Sequence, residues 1–232
     1  MGFLKSLLST SSQIQSRLGK YRRYREMSDD LHSKILGVNG FGKFIHTASV
    51  HLGFSRVVEE LFAGPPTDLS IVVDYAEQQV LDRGKSFLEI YRDSTARHSP
   101  EEQELLERWI NSPVGLYRLI DSDADTALVT AEDVTDPSNR ITMTDFGLSV
   151  THSYHKRAYP NDSQMSFLRP IQFEDFAMCS GFMCAFPPAA EREVLKLWRK
   201  YDGPVRYASI VRLFKSKGEL IVNTSELSEY LQ

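Results

Sequence analysis

The spacing of the apolar residues changes part-way along the chain, and this change limits the folds that are open to it. Over roughly the first 100 residues, the apolar side chains recur every three or four positions. Phe41, Ile45, Ala48 and Leu52, for example, follow one another at intervals of four, three and four. This spacing places them on one face of a helix, so a helical first half is predicted.

After Pro113 the chain changes to short apolar runs separated by turn residues. Such spacing favours an antiparallel sheet that is strongly curved. Helices are predicted again over 187–201 and after Pro204. The predicted strands lie in the runs GLYRLID (115–121), TALVTAEDV (126–134), RITMTD (140–145), LSVTHSY (148–154), MSFLRPIQF (165–173) and FAMCSGFMCAF (176–186).

This order of helices, sheet and helices predicts an α+β fold. A helical region with a basic N-terminal arm is expected over 1–112. An antiparallel β region, with C-terminal helices packed on the sheet, is expected over 113–232. One integrated domain is the alternative to this division.

The segment SPEEQELLERWI carries the clearest helix start in the chain. Ser99 is suited to cap the helix, Pro100 to occupy its first position and Glu102 to close a capping box. The helix is expected to end near Asn111, before Pro113.

The segment 69–81 fits both a strand and a helix. Its run of β-branched residues over 71–73 favours a strand, whereas an apolar stripe behind Asp68 as N-cap favours a helix. We predict the helix. A further helix is predicted from the apolar residues over 57–62, and the tail 225–232 is expected to add a turn.

The cysteine content and the hydropathy indicate a soluble cytoplasmic protein. Cys179 and Cys184 are the only two cysteines, which is too few for a disulfide framework. No apolar run approaches the ~20 residues that a membrane-spanning helix needs. The N-terminal segment turns polar at Ser9, before a signal-peptide core has formed.

The chain has a net charge of −4, but its charge is unevenly distributed. Residues 1–43 carry eight Lys/Arg against three acidic residues, which gives +5 and leaves −9 on the remainder. The cluster Lys20, Arg22, Arg23 and Arg25 is interleaved with two tyrosines, and we predict that it contacts an anionic partner. A protein partner or self-association is favoured, and nucleic acid or an anionic membrane surface is the alternative. The default interpretation, which needs no partner, is that this arm docks on the protein's own body.

The segment GVNGFGK, Gly37 to Lys43, matches the first seven positions of the P-loop pattern. In a P-loop the lysine reaches the phosphates, and the Ser or Thr that follows it binds magnesium. Here Phe44 replaces that hydroxyl, and the preceding segment is predicted to be helical. We therefore favour a turn between two helices, with Gly37 in the left-handed conformation. The alternative is a nucleotide-binding enzyme with a degenerate P-loop, in which Lys43 contacts phosphate and Asp74 lies near magnesium.

The segment DSDADTALVTAE resembles a calcium loop in its spacing. Asp121, Asp123, Asp125 and Glu132 occupy positions one, three, five and twelve of an EF-hand loop. The sixth position, where glycine permits the sharp turn, is Thr126, and both flanking runs are predicted strands. We favour an acidic hairpin, with weak calcium binding as the alternative.

The segments VVDYAEQQVLDRGKSFLEIY, SPVGLYRLID, TAEDVTD and CSGFMCAFPP resemble uncharacterised bacterial proteins with a helical first half and a small β-rich second half. The resemblance covers about residues 70 to 190. Some of those proteins carry a cysteine-rich SEC-C zinc segment, whose cysteines are missing here, so the resemblance implies neither zinc nor a catalytic residue. No cofactor is predicted. Because no complete catalytic constellation is present in the sequence, we favour a binding or adaptor module over an enzyme.

Overall fold

A computed structural model describes residues 2–54, 60, 64, 66–94, 97–158, 160 and 164–218. The apolar residues that predict a helix over 57–62 lie outside the described residues, as does the turn predicted over 225–232.

The first half of the described chain is helical, as its apolar spacing predicts. The ambiguous segment 69–81 is helical up to Gln78, which confirms the helix prediction. None of the described helices is both long enough and apolar enough to cross a membrane. The helices are α1 (Gly2–Leu36), α2 (Phe41–Leu52), α3 (Pro66–Gln78), α4 (Phe87–Arg92) and α5 (Pro100–Ile110), and a short hairpin of β1 (Leu81–Asp82) and β2 (Lys85–Ser86) joins α3 to α4.

The capping box predicted for α5 is present. The Ser99 hydroxyl accepts a hydrogen bond from the Glu102 backbone N–H at 3.1 Å, and the Glu102 carboxylate accepts one from the Ser99 N–H at 2.7 Å. These bonds satisfy donors that the first turn of a helix leaves free. The last helical residue is Ile110, with Asn111 as the C-cap.

The second half contains a five-stranded antiparallel sheet in the order β5-β4-β3-β6-β7. The register of β3 against β4 shifts at Leu119/Asp121, and that of β6 against β7 shifts at Leu168/Pro170. Such irregularities increase the local bend and twist of a sheet. The edge strands β5 and β7 approach each other without pairing, so the sheet is strongly curved, as predicted. The strands are β3 (Gly115–Asp123), β4 (Leu128–Asp133), β5 (Arg140–Thr144), β6 (Gln164–Gln172) and β7 (Ala177–Phe186).

The strand predicted in LSVTHSY is wrong, because this segment belongs to helix α6 (Phe146–Ala158). The Asp145 carboxylate accepts a hydrogen bond from the Leu148 N–H at 3.0 Å and so caps the helix start. Leu148, Ser149, Thr151 and His152 are buried, which is the spacing of one helix face. The short apolar run that favoured a strand is outweighed by this cap and by the burial of one helix face.

The C-terminal elements are a 3₁₀ turn (Pro188–Ala190), α7 (Glu191–Lys200) and α8 (Gly203–Lys217), as the sequence predicts. The larger hydrophobic cluster joins the N-terminal and C-terminal helices to one face of the sheet, where Phe167 and Phe182 lie. The smaller cluster lies on the other face, under Leu148 of α6. This arrangement is an α+β fold. The division into regions at residue 112 stays a prediction.

Candidate functional site

Three of the four basic residues predicted to contact a partner form ion pairs with acidic residues of the same chain. Lys20 pairs with Asp175 and Arg23 with Glu101. Arg25 Nη2 donates hydrogen bonds of 2.7 Å both to Asp145 and to the Cys179 carbonyl oxygen. The fourth residue, Arg22, is exposed and has no acidic partner among the described residues. Contact of this cluster with a partner stays a prediction.

The tyrosines of this cluster also face the protein. The Tyr21 hydroxyl accepts a hydrogen bond from the Phe146 N–H at 3.3 Å, and the Tyr24 hydroxyl donates one of 2.8 Å to Glu104. The Tyr24 ring packs on Phe173 and Phe176. The described part of the arm therefore docks on α5 and on one end of the sheet, which is the default interpretation of its charge.

The glycine-rich segment joins α1 to α2, as predicted. The Gly37 N–H bonds to the carbonyl oxygens of Ser33 and Lys34, which closes α1. The prediction of a left-handed Gly37 is wrong, because Gly40, with φ of 100°, takes that conformation at the N-cap of α2. Gly40 makes the sharp turn there because it has no Cβ. Lys43 is exposed in the first turn of α2.

Asp74 is buried in α3 and engaged in an internal ion pair. Its two carboxylate oxygens accept hydrogen bonds from Arg169 at 2.9 and 3.0 Å, and one of them also accepts a bond of 2.9 Å from the Tyr207 hydroxyl. Arg169 donates further to the Ser112 carbonyl oxygen. The carboxylate that the nucleotide alternative assigns to magnesium is therefore used in a bidentate pair with Arg169.

The segment that resembles a calcium loop folds as the β3–β4 hairpin, as predicted. The Asp123 carboxylate accepts hydrogen bonds from the backbone N–H groups of Asp125 at 3.0 Å and Thr126 at 3.3 Å. Glu132 lies in β4 and pairs with Arg140 at 2.9 Å, while the exposed Asp121 lies in β3. Among the described residues, no group of three acidic, histidine or cysteine side chains is placed to hold a metal ion.

Cys179 and Cys184 are buried and unbonded to each other. Burial raises the pKa of the Cys179 thiol to about 12 and that of Cys184 well above its usual value. Because the thiolate is the reactive form, both residues are core side chains rather than nucleophiles.

A cleft of about 270 Å³ lies between α1, α3, α5 and β7, and the sequence gives no sign of it. We call it the central cleft. It is lined by Arg25, Asp29, His32, Leu36, Leu69, Ser70, Val73, Asp74, Trp109, Ser180, Gly181 and Phe182.

His32 connects the central cleft to a buried acid. Its Nε2 lies 3.4 Å from a carboxylate oxygen of Glu77, which is fully buried, and its ring packs edge-on against Trp109 at 4.6 Å. Burial by itself lowers the pKa of His32, but the charges of Glu77, Asp74 and Asp29 raise it above its ordinary value. Glu77 falls on the apolar stripe of its helix, an anomaly visible in the sequence, but the sequence does not pair it with His32.

The exposed face of α7 carries four cations, which we call the basic stripe: Arg192, Lys196, Arg199 and Lys200. None of the four has an acidic partner among the described residues. The acidic residues of α7 are already paired, Glu191 with Arg118 and Glu193 with Lys217. With Leu195, the basic stripe lines a shallow groove of about 490 Å³.

A protein-family profile, described as a family of unknown function (DUF7986), matches residues 15–209, which is most of the chain. No curated protein and no solved structure matches the chain. The finer resemblance to bacterial proteins with SEC-C segments stays a prediction. The chain belongs to the family of unknown function DUF7986.

Proposed function

We propose that the protein is a cytosolic binding module that holds an acidic segment of a protein partner on the basic stripe of α7. The observation that carries this proposal is the difference between the two basic helices. In α1, Lys20, Arg23 and Arg25 each pair with an acidic residue of the same chain, whereas the four cations of the basic stripe have no acidic partner among the described residues.

The spacing of the basic stripe suits one short ligand. At 1.5 Å per residue, Arg192 and Lys200 are about 12 Å apart along the helix axis. Successive cations of the stripe are one to four residues apart, which is about 1.5–6 Å along the axis. These distances lie within the ~8 Å over which exposed charges interact at physiological ionic strength, so neighbouring cations act on the same bound segment. The half-buried Leu195 offers an apolar contact between them.

The overall charge favours a short acidic segment over a long polyanion. The chain as a whole carries −4, so a nucleic acid that extended beyond α7 would meet a body of its own sign. Non-specific nucleic-acid binding draws its affinity from many phosphate contacts, and the basic stripe offers four cations. An acidic peptide with apolar side chains uses both the charge and Leu195.

Fluorescence anisotropy with a labelled peptide of alternating Glu and Leu tests the proposal. The variant R192Q/K196Q/R199Q/K200Q should bind at least about tenfold more weakly than the wild type, and the difference should shrink as salt is added. The control K20Q/R22Q/R23Q removes cations of α1 and leaves Arg25 in place, and it should bind as the wild type does.

Equal binding by the two variants, or a loss confined to the α1 variant, would refute the assignment to α7. An oligo-dT strand is the second probe. If oligo-dT bound more tightly than the peptide and depended on the same four residues, the partner would be a nucleic acid and the protein-partner proposal would be wrong.

A further inference from the structure

Two residues that line the central cleft each carry a buried hydrogen-bond donor without a partner among the described residues. Trp109 is 1% exposed and Ser180 is 4% exposed. The indole N–H of the first and the hydroxyl of the second bond to none of the described residues. They come from α5 and β7, so the fold brings them to the same cleft. Buried donors without partners are costly, and at a cleft they indicate a bound group that accepts from them.

The acceptors around the central cleft are already used or lie at its rim. Both oxygens of Asp74 accept bonds from Arg169, and one accepts from Tyr207 as well. Asp29 is exposed. The Ser70 hydroxyl donates to the Thr67 carbonyl oxygen. The unpartnered side-chain groups of the lining are therefore the Trp109 N–H, which can only donate, and the Ser180 hydroxyl, which can donate, and both suit a ligand that carries acceptors.

Two cationic side chains face the same space. Arg25 uses Nη2 for Asp145 and Cys179, and its Nη1 lies beside Gly181, where an added Cβ would come within 3.4 Å of it. Gly181 has φ of 99°, a conformation that glycine adopts readily. Because glycine has no Cβ, it also leaves this side of the Arg25 guanidinium uncovered. His32 is the second cation when it is protonated, a state that the buried Glu77 favours.

We propose that the central cleft binds a small carboxylic acid, with its carboxylate held by Ser180, Trp109 and Arg25. Carboxylates accept bonds from several donors at once, and charged acceptors form the stronger hydrogen bonds. Leu69, Val73 and Phe182 provide an apolar wall for the rest of the molecule. At about 270 Å³, the cleft lies just below the range of roughly 300–1,000 Å³ for drug-sized ligands, so the acid is small.

Isothermal titration of the full chain tests this site with butyrate and benzoate as probes and with butyramide and benzamide as their neutral counterparts. At least one acid should bind saturably, with its amide at least about tenfold weaker, because charge-assisted hydrogen bonds are lost. Absence of saturable binding by both acids, or equal binding of acid and amide, would overturn the proposal.

Substitutions locate the binding in the central cleft. Ser180→Ala should weaken binding of the acid about tenfold. The matched control is Ser49→Ala, which removes another buried and unpartnered hydroxyl, one that does not line the cleft. The Ser49→Ala variant should bind the acid with the affinity of the wild type. If Ser180→Ala also bound the acid as the wild type does, the assignment would be wrong.

A second variant serves if Ser180→Ala fails to fold. Leu36 lies at the edge of the cleft and is 39% exposed, so Leu36→Trp should obstruct the cleft without disturbing the core. Unchanged binding in Leu36→Trp would also contradict the site. The quadruple variant of the basic stripe should bind the acid normally, which keeps this result separate from the function proposed for α7.

Discussion

Replacement of Asp74 by alanine should be among the most destabilising single changes in this protein. The side chains of Asp74 and Arg169 are only 5% and 2% exposed, and two hydrogen bonds join them. Removing one partner of such a pair leaves an uncompensated buried charge, which costs ~3–5 kcal/mol. The Tyr207 hydroxyl also loses its 2.9 Å acceptor. We therefore expect the free energy of unfolding to fall by ~4 kcal/mol or more.

Urea denaturation followed by circular dichroism measures this loss. With a slope of ~3 kcal/mol per molar urea, the midpoint should fall by ~1–2 M. The control is Asp30→Ala, which removes an exposed pair with Lys34 at 2.7 Å within α1 and should cost under ~1 kcal/mol. The double variant Asp74→Leu/Arg169→Met should lose much less free energy of unfolding than the single variants Asp74→Leu and Arg169→Met lose when their losses are added, because no charge is left buried.

Two results would refute this reasoning. One is a loss under ~1 kcal/mol for Asp74→Ala, which would mean that water or another group solvates Arg169. The other is additivity in the double-mutant cycle, which would mean that Asp74 and Arg169 are not coupled in the folded protein.

Three further outcomes are expected. Ser99→Ala should lower the free energy of unfolding by ~1 kcal/mol in urea denaturation because it opens the capping box of α5; no change would mean that the cap does not form in solution. Because the folded pKa of His32 is raised, its contact with Glu77 stabilises the fold below the ordinary pKa of 6.5, and this contribution is lost as pH rises through the folded pKa. Wild type should therefore lose stability over that interval relative to His32→Gln, and parallel pH profiles would contradict the contact. Mg-ATP should leave the melting temperature unchanged, because Asp74 is already paired; a stabilisation that disappears in Lys43→Ala would instead support the nucleotide alternative.

Local patterns in the sequence predicted the elements that depend on neighbouring residues. The capping box at Ser99 forms as expected because its partners lie three positions apart and need nothing from the rest of the fold. The helix α3 follows in the same way from apolar spacing, and the turn between α1 and α2 follows from its glycines. The segment LSVTHSY shows the limit of such patterns, since a short apolar run between turn residues predicted a strand where the cap at Asp145 starts a helix.

The sequence by itself therefore determined the α+β order of elements and most of their bounds, because short-range spacing and capping specify them. Only the tertiary structure decided which charges are paired and which are open. Asp74 meets Arg169 across 95 residues and Lys20 meets Asp175 across 155, so neither pair leaves a local pattern. The central cleft and the unpaired state of the basic stripe likewise depend on contacts between distant elements. A side chain is buried, paired or free according to what packs against it, and that contact is set by elements far apart in the chain.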